Sequence, residues 1–423
     1  MGLRLVRVAR VRSARLRLTS KRENHMFEYL LVFNAGSSSL KFGLYRSESQ
    51  RAWRLEARGL IDGIGTAPHL SVRDQSAALI ADRDLGTTVR DDRAALAALS
   101  EWLRSQYAGA RALGVGHRVV HGGARYAHPV RITPETLEEL RQLIPLAPLH
   151  QPYNLAAIEA TLKQLPDVPQ VACFDTSFHR GQPAVAELVP LPEDIRARGV
   201  QRYGFHGLSY EYIASVLPDR AAELASGRVI VAHLGNGASL CALQNGKSRD
   251  STFSFTALDG LCMGTRPGSL DPGVVLYLFQ QLGLSAREVQ DILYWKSGLL
   301  GVSGVSNDMR KLLESRSPAA ALAIDYFVYR ATKEIGAMAA VLGGVDGLVF
   351  TAGIGENSAD IRRRICESSA WLGIRLDNEA NVRGAGRISL RGSTPSAWVI
   401  PTNEELMIAR HTGRLLGLGE VRA

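Results

Sequence analysis

Two polar loops, each lying between apolar runs, contain the residue types that bind phosphate groups. The first loop, residues 34–41, combines a glycine with three serines and ends at a lysine. The backbone N–H groups and hydroxyls of such a turn bind anions, and a cation behind them adds attraction. The second loop, residues 233–239, repeats this design with two glycines and an asparagine. Across both loops the candidates for nucleotide contact are Ser37, Ser39, Lys41, His233, Leu234, Gly235, Asn236 and Gly237.

One hairpin rich in glycine and serine is usually only a turn, but the second loop changes that interpretation. His233 takes the place of Asn34 and Gly235 that of Gly36, with one more residue expected in the second turn. Two such loops, about 200 residues apart, indicate a duplicated α/β domain that holds a nucleotide between its halves.

A third turn follows the apolar run 347–352 and leads into a helical pattern. Its glycines would let a flat ligand approach the backbone closely, and the N-terminus of the following helix favours negative charge. Asn357 or Ser358 is the expected cap of that helix. The candidates for nucleotide contact in this turn are Gly353, Ile354, Gly355, Glu356 and Asn357.

Charged side chains at the ends of apolar runs could hold two reacting anions. Arg118 and Arg266 lie in glycine-flanked loops, and their planar guanidinium groups suit a carboxylate or a phosphoryl group. Asp175 ends the apolar run 171–174, where its carboxylate would face a cleft. Taken alone, an arginine is usually a solvated surface charge and such an aspartate can be a turn cap. These three residues therefore need further support.

Histidine is the next candidate type, and its spacing excludes one common role. His150, His206 and His233 lie in turns, where a histidine is more often a structural residue. The His-Glu-x-x-His pattern of zinc enzymes is absent from the sequence. We interpret these histidines as donors to oxyanions.

The elements that must position these groups alternate between strands and helices, which predicts an α/β fold. Strand patterns lie near 29–33, 42–45, 53–57, 69–72, 113–115, 168–174, 229–234 and 347–350. Helical patterns lie near 93–104, 134–143, 153–162, 286–295, 318–341, 360–372 and 404–409. No low-complexity linker divides the chain, and the boundary between halves is expected just after Asp175.

The composition is that of a large globular protein with no membrane partner. A chain of 423 residues can form two well-filled domains. Its four scattered cysteines suit the reducing cytosol and argue against a disulfide framework or a zinc site. No apolar run reaches the ~20 residues that a membrane helix needs.

The positive charge of the chain is concentrated in its first residues. Residues 1–25 contain eight Lys and Arg and one acid, a net of +7 within a total of +9. The rest is close to neutral, which argues against a nucleic-acid partner. We expect residues 1–26 to be a disordered basic extension with Met26 as the natural start, although an Arg-rich targeting segment is the alternative.

Several motifs follow one another in an order that resembles the acetate kinases. They are Gly116-His117-Arg118-Val119-Val120-His121-Gly122-Gly123, Phe174-Asp175-Thr176-Ser177-Phe178-His179, Arg202-Tyr203-Gly204-Phe205-His206-Gly207, Met263-Gly264-Thr265-Arg266 and Ile400-Pro401-Thr402-Asn403-Glu404-Glu405-Leu406. With the loop at Asn34, they cover nearly the whole chain after Met26. The resemblance implies the duplicated actin-like ATPase fold shared with sugar kinases, actin and heat-shock chaperone ATPases. It implies domains at 27–177, completed by the C-terminal helix 406–423, and at 178–405.

The resemblance implies reversible, Mg²⁺-dependent, in-line phosphoryl transfer from ATP to acetate, giving ADP and acetyl phosphate. Arg118 would grip the carboxylate, while Arg266 and His206 would stabilise the phosphoryl group in transfer. Acetate is already ionised at neutral pH, so Asp175 would act by position and charge rather than as a base. The catalytic set that the resemblance implies is Asp175, Arg118, His206, Arg266 and His150.

The remaining site residues also follow from the resemblance. Asn34 and Glu404 would hold Mg²⁺, with Mn²⁺ as the alternative, because hard cations prefer oxygen ligands. The acyl pocket would be formed, beside Arg118, by Val120, Leu149, Phe205 and Ala257. A further segment implied for nucleotide contact is Asp308, Met309 and Arg310.

The substrate and the assembly remain open at this point. Ala257 stands where the family usually has proline, which could widen the acyl pocket. One methylene discriminates by only ~1–3 kcal/mol, so acetate and propionate are not separated. The alternatives are a propionate or butyrate kinase, and a non-catalytic nucleotide sensor or ATPase on the same fold. The resemblance also implies a cytoplasmic homodimer.

Overall fold

The computed structural model describes residues 28–36, 39–48 and 52–421 as two β-sheets covered by helices. The strands in this part of the chain are β1 (Glu28–Ala35), β2 (Leu40–Glu48), β3 (Ala52–Asp62), β4 (His69–Asp74), β5 (Leu79–Asp84), β6 (Arg111–Val119), β7 (Val130–Arg131), β8 (Gln170–Phe174), β9 (Arg228–Leu234), β10 (Ala238–Gln244), β11 (Lys247–Ser251), β12 (Gly347–Thr351), β13 (Gly386–Arg387), β14 (Ser396–Val399) and β15 (Glu420–Val421). The helices are α1 (Asp92–Gln106), α2 (Pro134–Gln142), α3 (Gln151–Gln164), α4 (Ala184–Glu187), α5 (Glu193–Arg196), α6 (Gly207–Arg220), α7 (Pro272–Gln280), α8 (Ala286–Asp291), α9 (Gly298–Ser303), α10 (Met309–Glu314), α11 (Pro318–Leu342), α12 (Ala352–Asn357), α13 (Ala359–Ser368), α14 (Asn378–Arg383) and α15 (Glu404–Leu415).

The two sheets share one arrangement of strands, which is the structural sign of a duplication. The first sheet contains the order β3-β2-β1-β6-β8, in which β2 is antiparallel to both of its neighbours, β1 and β3, and β6 and β8 are parallel to β1. The second sheet repeats this order and these directions as β11-β10-β9-β12-β14. The predicted α/β class and its duplication are therefore confirmed.

Helices cover both faces of the first sheet. α1 and α3 pack on one face around Trp102, and α15 covers the other face through Leu406 and Ile408. Gly116 on β6 permits the second contact, because a Cβ there would lie 2.3 Å from Oγ1 of Thr412. A side chain at this position would push the last long helix off the sheet.

The second sheet is covered mainly by α11 on one face and α6 on the other. α11 begins with Pro318, whose missing N–H is harmless at a helix start, and it is followed by the cap residue Gly343 with φ +65°. Phe327 and Ile335 of this helix enter the larger core, while Tyr210 and Ile213 of α6 fill the opposite one.

The predicted strands and helices are present, but the two phosphate loops differ in length from the expectation. Ala35 pairs with Leu40 across β1 and β2, whereas Leu234 pairs with Ala238 across β9 and β10. The extra residue therefore lies in the first loop, and the prediction that placed it in the second was wrong. Residue matching alone had left the strand register undetermined.

The third turn also differs from the prediction. β12 passes directly into α12, because Ala352 makes the bend by itself with φ 64°. Gly353 and Gly355 therefore lie inside a short helix rather than in an open turn. Of the two expected caps, Ser358 is the one that caps the next helix, since its side chain accepts from the N–H of Ile361.

Some expectations fall outside the described residues. The basic extension 1–26 and Ser37 are among these, so their predictions stay as predictions. Within the part of the chain that is described, no helix has both the length and the apolar character needed to cross a membrane.

Candidate active site

The strand ends that carry the candidate residues meet at one cleft. Asn34 lies on β1, Arg118 on β6 and His233 on β9, while Asp175 directly follows β8. Since β1, β6 and β8 are parallel, their carboxyl ends share one edge of the sheet. The cleft has a volume of about 490 Å³. The predicted residues that line it are Asn34, Ser39, Lys41, Arg118, His206, His233, Gly235, Asn236, Gly237, Gly353, Glu356 and Glu404.

A hydrogen-bonded chain joins four of these candidate side chains. Arg118 forms a fork on Asp175, with Nη2 2.5 Å and Nε 3.0 Å from the carboxylate oxygens. Its Nη1 donates to Oδ1 of Asn34 at 3.1 Å, and Nδ2 of Asn34 donates to Oε2 of Glu404 at 3.3 Å. Arg118 is therefore held in place before any substrate arrives.

Burial and charge act in opposite directions on the pair of Arg118 and Asp175. Burial raises the pKa of the Asp175 carboxyl group, which is 1% exposed, and the guanidinium beside it opposes that rise. Burial also disfavours the charge on Arg118, but Asp175 and Glu404 outweigh it and raise the pKa of Arg118. Two-point contact with a guanidinium stabilises the ionised carboxylate, so we treat the pair as ionic.

Two histidine rings stack on each other in the cleft. The centroids of His206 and His233 are 3.9 Å apart. Nδ1 of His206 lies 2.9 Å from Oγ of Ser239, and the Tyr210 hydroxyl lies 2.5 Å from the same oxygen. Nδ1 of His233 lies 2.8 Å from Oγ of Ser209. Each ring is thus oriented through Nδ1.

Both histidines are neutral near pH 7. Burial lowers the pKa of His206 well below its ordinary value, and His233 and Arg118 repel its positive form further. Burial likewise lowers the pKa of His233 to about 3, assisted by Arg118. A neutral imidazole has one N–H donor, so each ring can offer one hydrogen bond to an oxyanion.

The backbone at His206 is itself unusual. His206 precedes α6 with φ 58°, the left-handed region that few non-glycine residues adopt. Gly207 follows it, and a Cβ there would lie 2.1 Å from the carbonyl oxygen of Asp175. The histidine and aspartate segments are therefore in backbone contact, and Gly207 allows it.

Arg266 lies behind the second phosphate loop as a partly buried cation. A Cβ on Gly237 would be 2.6 Å from its Nη2, so this glycine lets the guanidinium approach the cleft. Nη1 donates to the carbonyl oxygen of Ala257 at 2.7 Å. Arg266 forms no ion pair with the described residues, and burial lowers its pKa to about 10. An anion arriving here would supply the missing counter-charge.

A small apolar pocket lies next to these arginines. All four predicted acyl-pocket residues line it, namely Val120, Leu149, Phe205 and Ala257. The free volume is about 10 Å³, which is room for one water-sized or methyl-sized group. His150 and Tyr294 also line the pocket, and burial together with Arg266 and Arg118 lowers the pKa of His150 to about 3.

The predicted loops contribute unequally to the cleft. Leu234 is fully buried in the core and offers it no side chain. Asn236 is held from behind by Gly264, whose N–H donates to the Asn236 carbonyl oxygen at 2.9 Å. Lys41 is exposed at the cleft entrance and has no ion pair with a described residue.

The third segment places two of its five candidates in the cleft, Gly353 and Glu356. Oε1 of Glu356 accepts from the N–H groups of Ala352 at 2.8 Å and Thr402 at 3.0 Å. The first N–H of α12 is thus already hydrogen-bonded to a carboxylate, so it is not open to a ligand. The negative charge of Glu356 also weakens the expected attraction of this helix end for an anion. The other three candidates, which lie away from the cleft lining, are Ile354, Gly355 and Asn357.

The segment 308–310 is not brought to the lining of the cleft. Asp308 caps α10, accepting from the N–H of Arg310 at 2.9 Å, and its carboxylate pairs with the Arg310 guanidinium. Met309 is buried. A nucleotide contact by these residues therefore remains a prediction.

Several supporting residues were missed at the sequence level. Ser239, Ser209 and Tyr210 orient the two histidines, and Tyr294 closes the small pocket. For Ser239 the usable signal was its place in the second phosphate loop, where it pairs directly with His233 across the strands. No local pattern points to the others, since their partners are distant in sequence.

Comparisons with known proteins agree with this geometry. The profile of the Acetokinase family matches residues 29–410. The acetate kinase of Rhodopseudomonas palustris is 54% identical over 395 residues, which cover 92% of this chain and 99% of that protein. Crystal structures of Porphyromonas gingivalis acetate kinase and of a Francisella tularensis propionate kinase are 37% and 35% identical, with TM-scores of 0.78 and 0.83. Each covers 92% of this chain, and the matches include 100% and 99% of those chains. The chain belongs to the acetate kinase family.

Proposed function

We propose that this protein transfers the γ-phosphoryl group of ATP to acetate, reversibly, giving ADP and acetyl phosphate. The observation that carries the proposal is the small apolar pocket beside Arg118 and Arg266 at the edge of a cleft lined by two phosphate loops. A carboxylate whose methyl group fills that pocket would direct its oxygens toward the two cations. Its neighbour in the cleft would be the terminal phosphate of ATP.

In this proposal a carboxylate oxygen attacks phosphorus in line with the departing oxygen of ADP. One P–O bond forms and one breaks, and no proton needs to be removed, because acetate is already an anion. The chain supplies position and charge stabilisation. Arg118 grips the acetate, and Arg266 meets the negative charge that spreads over the phosphoryl oxygens.

His206 would donate one hydrogen bond to the phosphoryl group. The buried Tyr210 hydroxyl must donate, and Oγ of Ser239 lies 2.5 Å away to accept. Ser239 then donates to Nδ1 of His206, which leaves the ring proton on Nε2. Nε2 is the atom that faces Gly237 in the phosphate loop.

The role proposed for Asp175 is to position Arg118. Its fork fixes the guanidinium plane, while Nη1 of Arg118 is oriented by Asn34. Asp175 has both oxygens engaged with Arg118, which leaves no free base at the reaction centre.

Magnesium fits the oxygen groups at Asn34 and Glu404. Mg²⁺ typically keeps several waters and binds one or two carboxylates together with substrate phosphates. The described residues contain no cluster of three or more His, Cys, Asp or Glu that could hold a metal alone, which suits this shared mode. Bound there, Mg²⁺ or Mn²⁺ would neutralise phosphate charge. Asn34 and Glu404 would hold the ion, and the hydrogen bond between them orients the two side chains.

The experiment that tests the function measures acyl phosphate formation from ATP with acetate, propionate and butyrate. We expect acetate to have the highest kcat/KM, because the free volume of the pocket suits a methyl group. A preference for propionate or butyrate would select the corresponding kinase. ATP hydrolysis without acyl phosphate, or binding without turnover, would select the ATPase or the nucleotide sensor.

A homodimer is proposed for the assembly, and α7 supports it. This helix reads PGVVLYLFQ and has no buried residue, with Leu276 54% and Tyr277 53% exposed. An apolar helix face of this kind usually marks a protein interface. Leu276→Glu should convert a dimer to a monomer in light scattering after size exclusion. Leu79→Glu, at a residue 47% exposed on β5, is the matched control.

Two further proposals concern organisation and location. We propose the domains 27–177 with 406–423 and 178–405, supported by the packing of α15 on the first sheet. We propose a cytoplasmic location, supported by four buried cysteines without a disulfide. Limited proteolysis and cell fractionation test the two.

A further inference from the structure

A second cavity adjoins the active-site cleft on the first sheet. It has a volume of about 320 Å³, at the small end of the range for ligand pockets. Three residues line both cavities, namely Lys41, Thr402 and Glu405. The second cavity is therefore separated from the active-site cleft only by these three shared residues.

The register of three neighbouring strands explains why basic side chains collect here. Arg58 on β3 is opposite Gly43 on β2 and Arg73 on β4, and Lys41 is two residues from Gly43. Residues two apart share a face of a strand, so all three cations project to the same side. Gly43 has no side chain, and the ring of Tyr45 lies over it, since a Cβ on Gly43 would be 2.9 Å from Cε2 of Tyr45.

The positive charge of this pocket is not balanced by the protein. Lys41 and Arg58 form no ion pair with a described residue, and Arg73 donates one N–H to the carbonyl oxygen of Ala77 at 3.0 Å. Against these three cations stands one acid, Glu405. Like charges gathered in a concave site repel one another, so their positions are stabilised when an anion enters.

We propose that this pocket is a second anion site, which binds a compact ligand with two or more phosphate or carboxylate charges. Arg58 and Arg73 provide forked donors, and the hydroxyl groups of Ser71 and Tyr45 add neutral donors. The site differs from the nucleotide cleft because Arg58, Arg73 and Ser71 have no part in that cleft.

An occupant of this site is coupled to nucleotide binding. Lys41 borders both cavities, so an anion beside Arg58 competes with the nucleotide for its ammonium group. Glu405 also borders both and follows Glu404 at the start of α15. By linkage, the ligand and ADP weaken each other by the same factor, typically about fivefold or more.

The test is isothermal titration in metal-free buffer at constant ionic strength, with inorganic pyrophosphate and with succinate as the probes. The probes are titrated in the presence of saturating ADP, which is expected to fill the nucleotide cleft. That expectation rests on the proposed function, so a first titration with ADP alone checks that ADP binds. The variants are Arg58→Gln combined with Arg73→Gln, and Arg83→Gln as the control. Arg83 is an exposed arginine on β5 that lies outside the pocket.

We expect ADP-saturated wild type and the control to bind one equivalent of probe, and the double variant to bind at least tenfold more weakly. If pyrophosphate binds and succinate does not, the site prefers phosphate groups. If both probes bind, the site recognises negative charge without preferring phosphate. The proposal is overturned if the ADP-saturated wild type binds neither probe, or if the double variant binds as wild type does. Absence of ADP binding in the first titration, when it is repeated with Mg²⁺, would instead count against the proposed function. In that case the second site would still be supported if the wild type binds the probe without ADP and the double variant does not.

Discussion

Replacing Arg118 by alanine should damage stability as well as substrate binding, whereas replacing Arg266 should damage turnover alone. Arg118→Ala leaves the Asp175 carboxylate, which is 1% exposed, without its forked partner. Arg266 has no acidic partner among the described residues, and burial already lowers its pKa to about 10. Its removal therefore leaves no orphaned charge.

The magnitude follows from the burial of the pair. Breaking a buried ion pair from one side costs about 3–5 kcal/mol. Because the Arg118 side chain is 19% exposed, water can partly replace it, so we expect the lower end, about 3 kcal/mol. The entropy of unfolding is about 2.1 cal/mol/K per residue, so for 423 residues that cost corresponds to a fall in Tm of about 3–4 °C. Loss of a hydrogen-bonded cation should raise KM for acetate about 10- to 150-fold.

The assay combines thermal unfolding with steady-state kinetics for both variants. Arg266→Ala should keep Tm near wild type and lower kcat about 10²- to 10³-fold, because its contact is with charge formed in transfer. Adding Asp175→Asn to Arg118→Ala should recover part of the lost Tm by removing the buried charge. Equal Tm values for the two alanine variants, or no recovery in the double variant, would refute this reasoning.

Three further predictions concern the pocket, the extension and pH. Ala257→Pro should lower the ratio of kcat/KM for propionate to that for acetate by about tenfold or less; an unchanged or higher ratio in a folded variant would remove Ala257 from the acyl pocket. A chain starting at Met26 should keep activity and Tm, and a large loss of either would show that residues 1–25 pack on the fold. Burial lowers the pKa of several histidines to about 3 or 4, so the unfolded chain binds more protons than the folded chain below pH 6.5. The free energy of unfolding should therefore decrease as the pH is lowered from 6.5, by up to about 1.4 kcal/mol per pH unit for each such histidine. The histidines concerned are His117, His121, His150, His179 and His233. A Tm that stays flat from pH 7 to pH 5 would contradict this.

The sequence predicted the architecture well because each strand and long helix carries its own apolar pattern. The run before Asn34 and the run before His233 are both buried strands, and their shared polar ends revealed the duplication. Loop geometry was less predictable, because register depends on pairing between strands. The bend at Ala352 is a case in which a non-glycine residue takes a positive φ because tertiary packing fixes it.

Contacts between distant residues were the part that the sequence could not supply. The motifs brought Arg118 and Asp175 into one site, but nothing in them indicates that the two form a fork. Glu356 was expected to contact the nucleotide, yet its carboxylate also accepts from the N–H of Ala352 and, 46 residues further along the chain than Glu356, from the N–H of Thr402. Such bonds depend on the assembled fold, in which hydrogen-bonding needs are satisfied by whichever partner lies near.

The position of α15 has a consequence for synthesis of the protein. Leu30 of the first strand is covered by Leu406 and Ile408 of this helix, and Nε1 of Trp53 donates to the carbonyl oxygen of Leu418 at 2.8 Å. While the ribosome extends the chain, this apolar face of the first sheet lacks most of its cover until residues beyond 404 have emerged, since Leu208 of α6 is the only earlier helical residue of the described chain that is buried in this cluster. The half of the molecule that is made first is therefore completed last, and its nascent form should be a client for chaperones until release.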